Sequence, residues 1–268
     1  MLGVLDPLYA RARAALLDAA EALGAHRDAV VLVGAQAVYL HTGDADLAVA
    51  EYTTDADFAI SPVELAGAPL LDDLLKSAGF TPREHPGGWL SAQGVYVDLM
   101  VPEALAGPGT RGARLGPHGN RAARRAKGLE GALTDRDKQT ISSLDPADSR
   151  EIQMWVAGPA ALLVAKIHKI SERVDANDRV RDKDALDVLR LLRAIDTDTL
   201  AGRLRSLLAD DLTRSVSEEA VGLLPGLFGG PDRDGTQMAV RAAGAGEDPA
   251  TIAGSMTALV DDLRTSLG

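Results

Sequence analysis

Apolar positions recur with two different periods along this chain, and the changes of period mark its elements. Leu8, Ala12, Ala15, Leu16, Ala19 and Leu23 share one face at helical spacing, which predicts an amphipathic helix over 8–23 with Gly24 as its stop. Ala29 to Val33 is a continuous apolar run, the pattern of a buried strand. A short helix over Ala35 to His41 and a second strand over Thr54 to Ile60 follow. Pro62 suits the first turn of a helix reaching about Ala78, where Gly79 ends it. Gly88 to Ala92 and Val95 to Met100 read as a hairpin around Gln93-Gly94.

The second half is less regular at first. Residues 106–120 are rich in Gly, Pro and Arg and read as a loop or mobile arm. Irregular structure with short strands is expected from Gly128 to Val156. Pro159 then opens a helix through about Arg173, and another runs from about Arg181 to Ala194. The remainder is Ala- and Leu-rich and reads as helical, broken around Pro225 to Gly235. The pattern is that of an α/β chain with a mixed sheet and a mainly helical C-terminal part. It divides as 1–105, a basic arm with short strands over 106–157, and a helical domain over 158–268.

Three acids interrupt this pattern. Asp55 and Asp57 lie one residue apart in the second strand, so alternation puts both on one face. Strands are depleted in Asp, and two carboxylates side by side repel unless a cation sits between them. Asp98 stands in the apolar run Val95-Tyr-Val-Asp98-Leu-Met, where an unpaired buried carboxylate would be costly. A partner strand that brings Asp98 beside Asp55 and Asp57 would complete a three-carboxylate metal site. The alternative for each is an acid on a solvated strand edge. Gly34-Ala35 follows the first buried strand. A Gly there lets a phosphate approach the backbone, and the next helix offers unpaired amides. A plain turn is the alternative.

Composition narrows the chemistry. Of 268 residues, 46% are hydrophobic but only 3% aromatic, so Leu, Val, Ala and Ile must fill the core. There is no cysteine, which excludes disulfides, thiolate metal sites and a Cys nucleophile, and suits a reducing compartment. The start lacks a basic stretch followed by an apolar run, and no apolar stretch is long enough for a bilayer, so a cytoplasmic protein with no membrane partner is expected. The net charge of −11 disfavours general nucleic-acid binding. Between Arg111 and Lys127, however, six cations (Arg111, Arg114, Arg121, Arg124, Arg125 and Lys127) stand without an acid among them. A charged loop is one reading of this island. An RNA-facing surface, with Arg121, Arg124, Arg125 and Lys127 as contacts, is the other.

A strand ending in Gly34, a short helix with Ala37 and His41, then Asp55-x-Asp57 and Asp98 on a later strand resembles the nucleotidyltransferase fold of the polymerase-beta superfamily, over about residues 28–101. The turn departs from that family, which has Gly-Ser or Gly-Gly where this chain has Gly34-Ala35. Further on, Pro159-Ala-Ala-Leu-Leu-Val-Ala-Lys166-Ile-His-Lys-Ile-Ser-Glu-Arg173 and Arg181-Asp-Lys-Asp184-Ala-Leu-Asp187 are similar to the AbiEii-type toxins, which include the MenT group. Those are nucleotidyltransferases of abortive-infection and type IV toxin–antitoxin systems.

The resemblance implies an NTP substrate bound at Gly34, Ala35 and Lys166, and Mg2+ held by Asp55, Asp57 and Asp98, with a second metal at Asp98. It implies catalytic roles for these acids, for Lys166 on the triphosphate, and for Asp184 in orienting Lys166 or the acceptor. Lys169 rivals Lys166, and Asp182 and Asp187 rival Asp184. An acceptor hydroxyl on RNA, such as a tRNA 3' end, or on a protein is implied, with a cognate antitoxin as partner. Two other readings stay open: a catalytically silent nucleotide-binding protein, which Ala35 favours, and a transferase acting on small molecules of the aminoglycoside kind.

Overall fold

A computed structural model describes residues 7–43, 53–175 and 182–268; the side chains of residues 174, 175 and 245 are not described. Arg181, with which the second of the two C-terminal motif helices was expected to begin, lies outside the described residues. The chain divides into two compact units. One comprises Met1–Gln36, Tyr52–Ala126 and Arg136–Ala157, the other Ala37–Glu51, Lys127–Asp135 and Gly158–Gly268.

The first unit is built on a mixed sheet. Its strands are β1 (Val30–Val33), β2 (Asp55–Ile60), β3 (Thr81–Pro82), β4 (Gly88–Leu90), β5 (Tyr96–Pro102), β6 (Arg124–Ala126), β7 (Arg136–Ser142) and β8 (Glu151–Ala157). They run in the order β3-β4-β5-β2-β1-β8-β7, with β6 pairing β5 beside β4. β2 is antiparallel to β1 and parallel to β5, and the expected β4–β5 hairpin forms. Helix α1 (Pro7–Ala22) packs on β2, β5 and β8, burying Ala12, Ala15, Leu16 and Ala19 of the expected stripe but leaving Leu8 exposed. Ala56, Phe58, Val97 and Leu99 are fully buried, while Asp55, Asp57 and Asp98 between them stay partly exposed. That alternation is what a half-buried strand requires.

Helix α2 (Gly34–Thr42) leaves β1 directly, as the pattern predicts. One expectation fails and another holds in part. The helix from Pro62 to Ala78 shrinks to α3 (Leu71–Ser77). Residues 62–70 instead form a turn and irregular chain, since Gly67 and Pro69 disfavour a continuing helix. Residues 128–156 hold the expected strands, but these are longer than the short ones expected. β7 and β8 are full seven-residue strands in register from Arg136↔Ala157 to Ser142↔Glu151. Residues 106–120 are the expected loop: Ala113 donates to the Ala123 carbonyl and Arg114 to that of Ala106, which fold the segment onto β5 and β6.

The second unit is helical. It holds α4 (Pro159–Asp175), α5 (Lys183–Ala194), α6 (Thr197–Ala209), α7 (Arg214–Phe228), α8 (Asp234–Ala243) and α9 (Pro249–Leu267). α4 is its centre, packed against α5, α6 and α7. The break expected around Pro225 falls just after Phe228, with Pro225 accommodated in the last turn of α7. No helix among the described residues is long and apolar enough to cross a membrane.

Candidate functional site

Strand register brings the three acids onto one face. Asp57 lies directly opposite Asp98 in the parallel β2–β5 ladder, and Asp55 opposite Tyr96. On the other side of β2, Asp57 is opposite Val33, the last residue before Gly34. Gly34 has φ +72°, and a β-carbon there would collide with the Asp57 carboxylate. Only glycine allows both this backbone and this contact. The sequence pairing of Gly34 with Asp57 is therefore a physical contact.

A second set of residues fixes the turn, and the sequence reading missed it. Gln36, fully buried, donates from Nε2 to the carbonyls of Asp55 (2.9 Å) and Ala12 (3.2 Å). Its Oε1 accepts from Arg13 Nε at 3.0 Å, and Arg13 also donates to the Tyr9 hydroxyl and the Ser142 carbonyl. This chain of bonds ties the start of α2 to the start of β2. The legible signal was Arg13, an arginine on the apolar face of α1. Thr53 donates its hydroxyl to the Asp55 carboxylate.

Asp98 has partners that spacing did not foretell. Arg124 Nε donates to Oδ2 at 3.3 Å, and His85 Nε2 lies 3.5 Å from Oδ1. His85 fits because Gly88, opposite Asp98 in the β4–β5 ladder, has no side chain; a methyl there would strike the imidazole. Among the described residues no three His, Asp or Glu side chains are gathered as a metal site. Register thus puts the three acids on one face without gathering their carboxylates, and Asp98 turns to a guanidinium.

Three further arm cations are also engaged. Arg121 donates to the Glu84 carbonyl, Arg125 pairs with Glu103, and Lys127 pairs with Glu219 at 2.7 Å. The hydrogen bond from Lys127 holds the Glu219 carboxyl below the usual range.

In the helical unit, Lys166 on α4 is 4% exposed and its Nζ donates to Asp184 and Asp187 on α5, each at 2.6 Å. Arg173 also pairs with Asp184, Arg190 pairs with Asp187 at 3.1 Å, and Lys169 Nζ lies 3.5 Å from Asp184. Asp182 stands apart, held by Arg241 at 2.7 Å. The Arg190 guanidinium lies 4.9 Å over the Tyr39 ring. Burial, and after it the charge of Asp187, pushes the Tyr39 hydroxyl up to about 12. Four cations thus surround two buried carboxylates, leaving local positive charge that suits an anion.

A family model described as Nucleotidyltransferase (NTP_transf_8) matches residues 11–211, about three quarters of the chain, including the carboxylate face, Lys166 and Asp184. No curated protein and no solved structure matches the chain. With the match spanning every element described above from α1 to α6, the chain belongs to this nucleotidyltransferase family.

Proposed function

We propose that the chain transfers a nucleoside monophosphate from an NTP to an acceptor hydroxyl, with Asp55, Asp57 and Asp98 as the metal-binding carboxylates. The observation that carries this reading is the ladder position of Asp57, opposite Asp98 and pressed against Gly34. An all-oxygen donor set of this kind fits Mg2+, and like charges on one strand face call for a cation. Bound there, one or two divalent ions would neutralise the phosphates and the developing charge on the attacking and leaving oxygens.

The chain's own residues then have distinct tasks. The first-turn amides of α2, which have no intrahelical acceptor, would take an anion, and Ala35 leaves this to backbone alone. Asp98 accepts the proton of the attacking hydroxyl. The hydroxyl oxygen bonds to the α-phosphorus as the bond to pyrophosphate breaks, in line. Lys166, oriented by Asp184 and Asp187, lends its charge to the triphosphate, and the surplus of cations around it supports that role. Lys169, 42% exposed at its side chain, is the rival for direct contact.

The likeness of the α4–α5 motif to AbiEii-type toxins favours a toxin of a type IV or abortive-infection system. Its acceptor would be an RNA, such as a tRNA 3' end gripped by the basic segment, or a protein hydroxyl, and an antitoxin its partner. Incubation with labelled NTPs, Mg2+ and total tRNA or cell protein should label one acceptor class with wild type and none with Asp55→Ala/Asp57→Ala. Expression in a bacterium should slow growth for wild type and not for Asp57→Ala. Equal labelling by both proteins would overturn the assignment of the carboxylates. Labelling without growth arrest would overturn the toxin role alone.

A further inference from the structure

Arg124 stands where the carboxylate face needs a cation. It lies opposite Met100 in the β5–β6 ladder, and Met100 is two residues from Asp98, so Arg124 shares the face of the acids. Its hold on Asp98 is a single contact from Nε at 3.3 Å, with the side chain 33% exposed. A paired guanidinium fork would hold a carboxylate twice. Partly exposed one-point pairs are weak, so this one is readily exchanged. The charge itself is permanent, since arginine does not deprotonate in proteins. The basic segment therefore sends one of its six cations into the site.

We propose that Arg124 is an exchangeable counter-cation and nucleotide ligand: it neutralises Asp98 when the carboxylate face is empty, yields Asp98 to the divalent ion, and then donates to the nucleotide's phosphates. The inference rests on the reading of Asp55, Asp57 and Asp98 as metal ligands. It follows that Arg124 opposes metal binding and favours nucleotide binding. The freed guanidinium presents a planar fork that matches two phosphate oxygens. Lysine at the same place would keep the charge and lose the fork.

Two titrations on the full chain test this. Mn2+ alone, followed by electron paramagnetic resonance, should bind Arg124→Gln more tightly than wild type by roughly two- to fivefold, the scale of one partly exposed ion pair. ATP, GTP, CTP and UTP, titrated in turn with saturating Mg2+, should identify the nucleotide that binds wild type. That nucleotide should bind Arg124→Gln roughly tenfold more weakly or worse. Arg124→Lys should match wild type for Mn2+ and fall between the two for nucleotide.

Shifts of opposite sign support the inference. Weakening of both ligands, or an unchanged Mn2+ affinity, overturns it, since a merely structural role moves both the same way. Should Arg124→Gln fail to fold, Arg124→Lys decides: weaker nucleotide with intact Mn2+ binding supports the exchange, equal losses overturn it. Wild type that binds neither Mn2+ nor any NTP would instead overturn the metal-site reading beneath it.

Discussion

Gly34 shows how one residue couples backbone strain to the site. Its φ of +72° is a conformation that costs an L-residue about 1–2 kcal/mol. A side chain there must also displace the Asp57 carboxylate. Gly43 provides a built-in comparison, with φ +58° and nothing near its absent β-carbon. Gly34→Ala should therefore lose more stability than Gly43→Ala, which should lose about 1–2 kcal/mol and no more. Urea denaturation of the two variants measures the difference. Equal losses would mean that the Gly34–Asp57 contact has no energetic weight. Asp55, Asp57 and Gly34 were legible in the sequence because each breaks a local rule: acids in a strand, a glycine straight after one. His85 and Arg124 were not legible, because their approach to Asp98 depends on the registers of β4 and β6, which no local pattern encodes.

Among elements, the α4–α5 pair is held by charge as well as by apolar packing. Lys166, Asp184 and Asp187 are all buried, on helices whose other buried positions are mostly Leu, Ile, Val and Ala, joined by His168, Arg173 and Arg190. Removing one member of such a set strands the others, at a cost of roughly 3–5 kcal/mol. Lys166→Met should lose stability on that scale, read by urea denaturation, although methionine matches the lysine stem. Lys169→Met should cost under about 1 kcal/mol, since its side chain is 42% exposed. Equal small losses would show that Lys166 is not needed to hold Asp184 and Asp187. The helices themselves were legible because their apolar spacing is strict, and so was the β4–β5 hairpin with its glycine turn. β7 was obscured by its composition. Arg136, Asp137, Lys138, Gln139 and Thr140 lie on the sheet's edge, where charge deters pairing with other chains and erases the apolar signal. The shortened α3 has the opposite cause: Pro62 looked like a helix start, and the glycine and second proline downstream overrode it.

At the scale of the whole molecule, net charge and local charge pull in different directions. A charge of −11 repels RNA at long range, and the six cations between Arg111 and Lys127 must overcome that field. As a sequence the segment counts as six. In the folded chain Arg124, Arg125 and Lys127 each face a carboxylate, on Asp98, Glu103 and Glu219. Arg121 and Arg114 donate to backbone carbonyls, which satisfies their geometry without cancelling their charge. Arg111, Arg114 and Arg121 are thus the cations left to meet phosphates. Single-stranded contacts contribute a slope of about −0.7 each to log K against log salt. Binding of a tRNA 3' end should then show a slope of about −2, where six contacts would give about −4. Arg121→Gln should flatten it by about 0.7, and Arg125→Gln should leave it unchanged. A slope near −4, or equal losses for the two variants, would mean that RNA displaces the carboxylate partners and that the segment opens on binding.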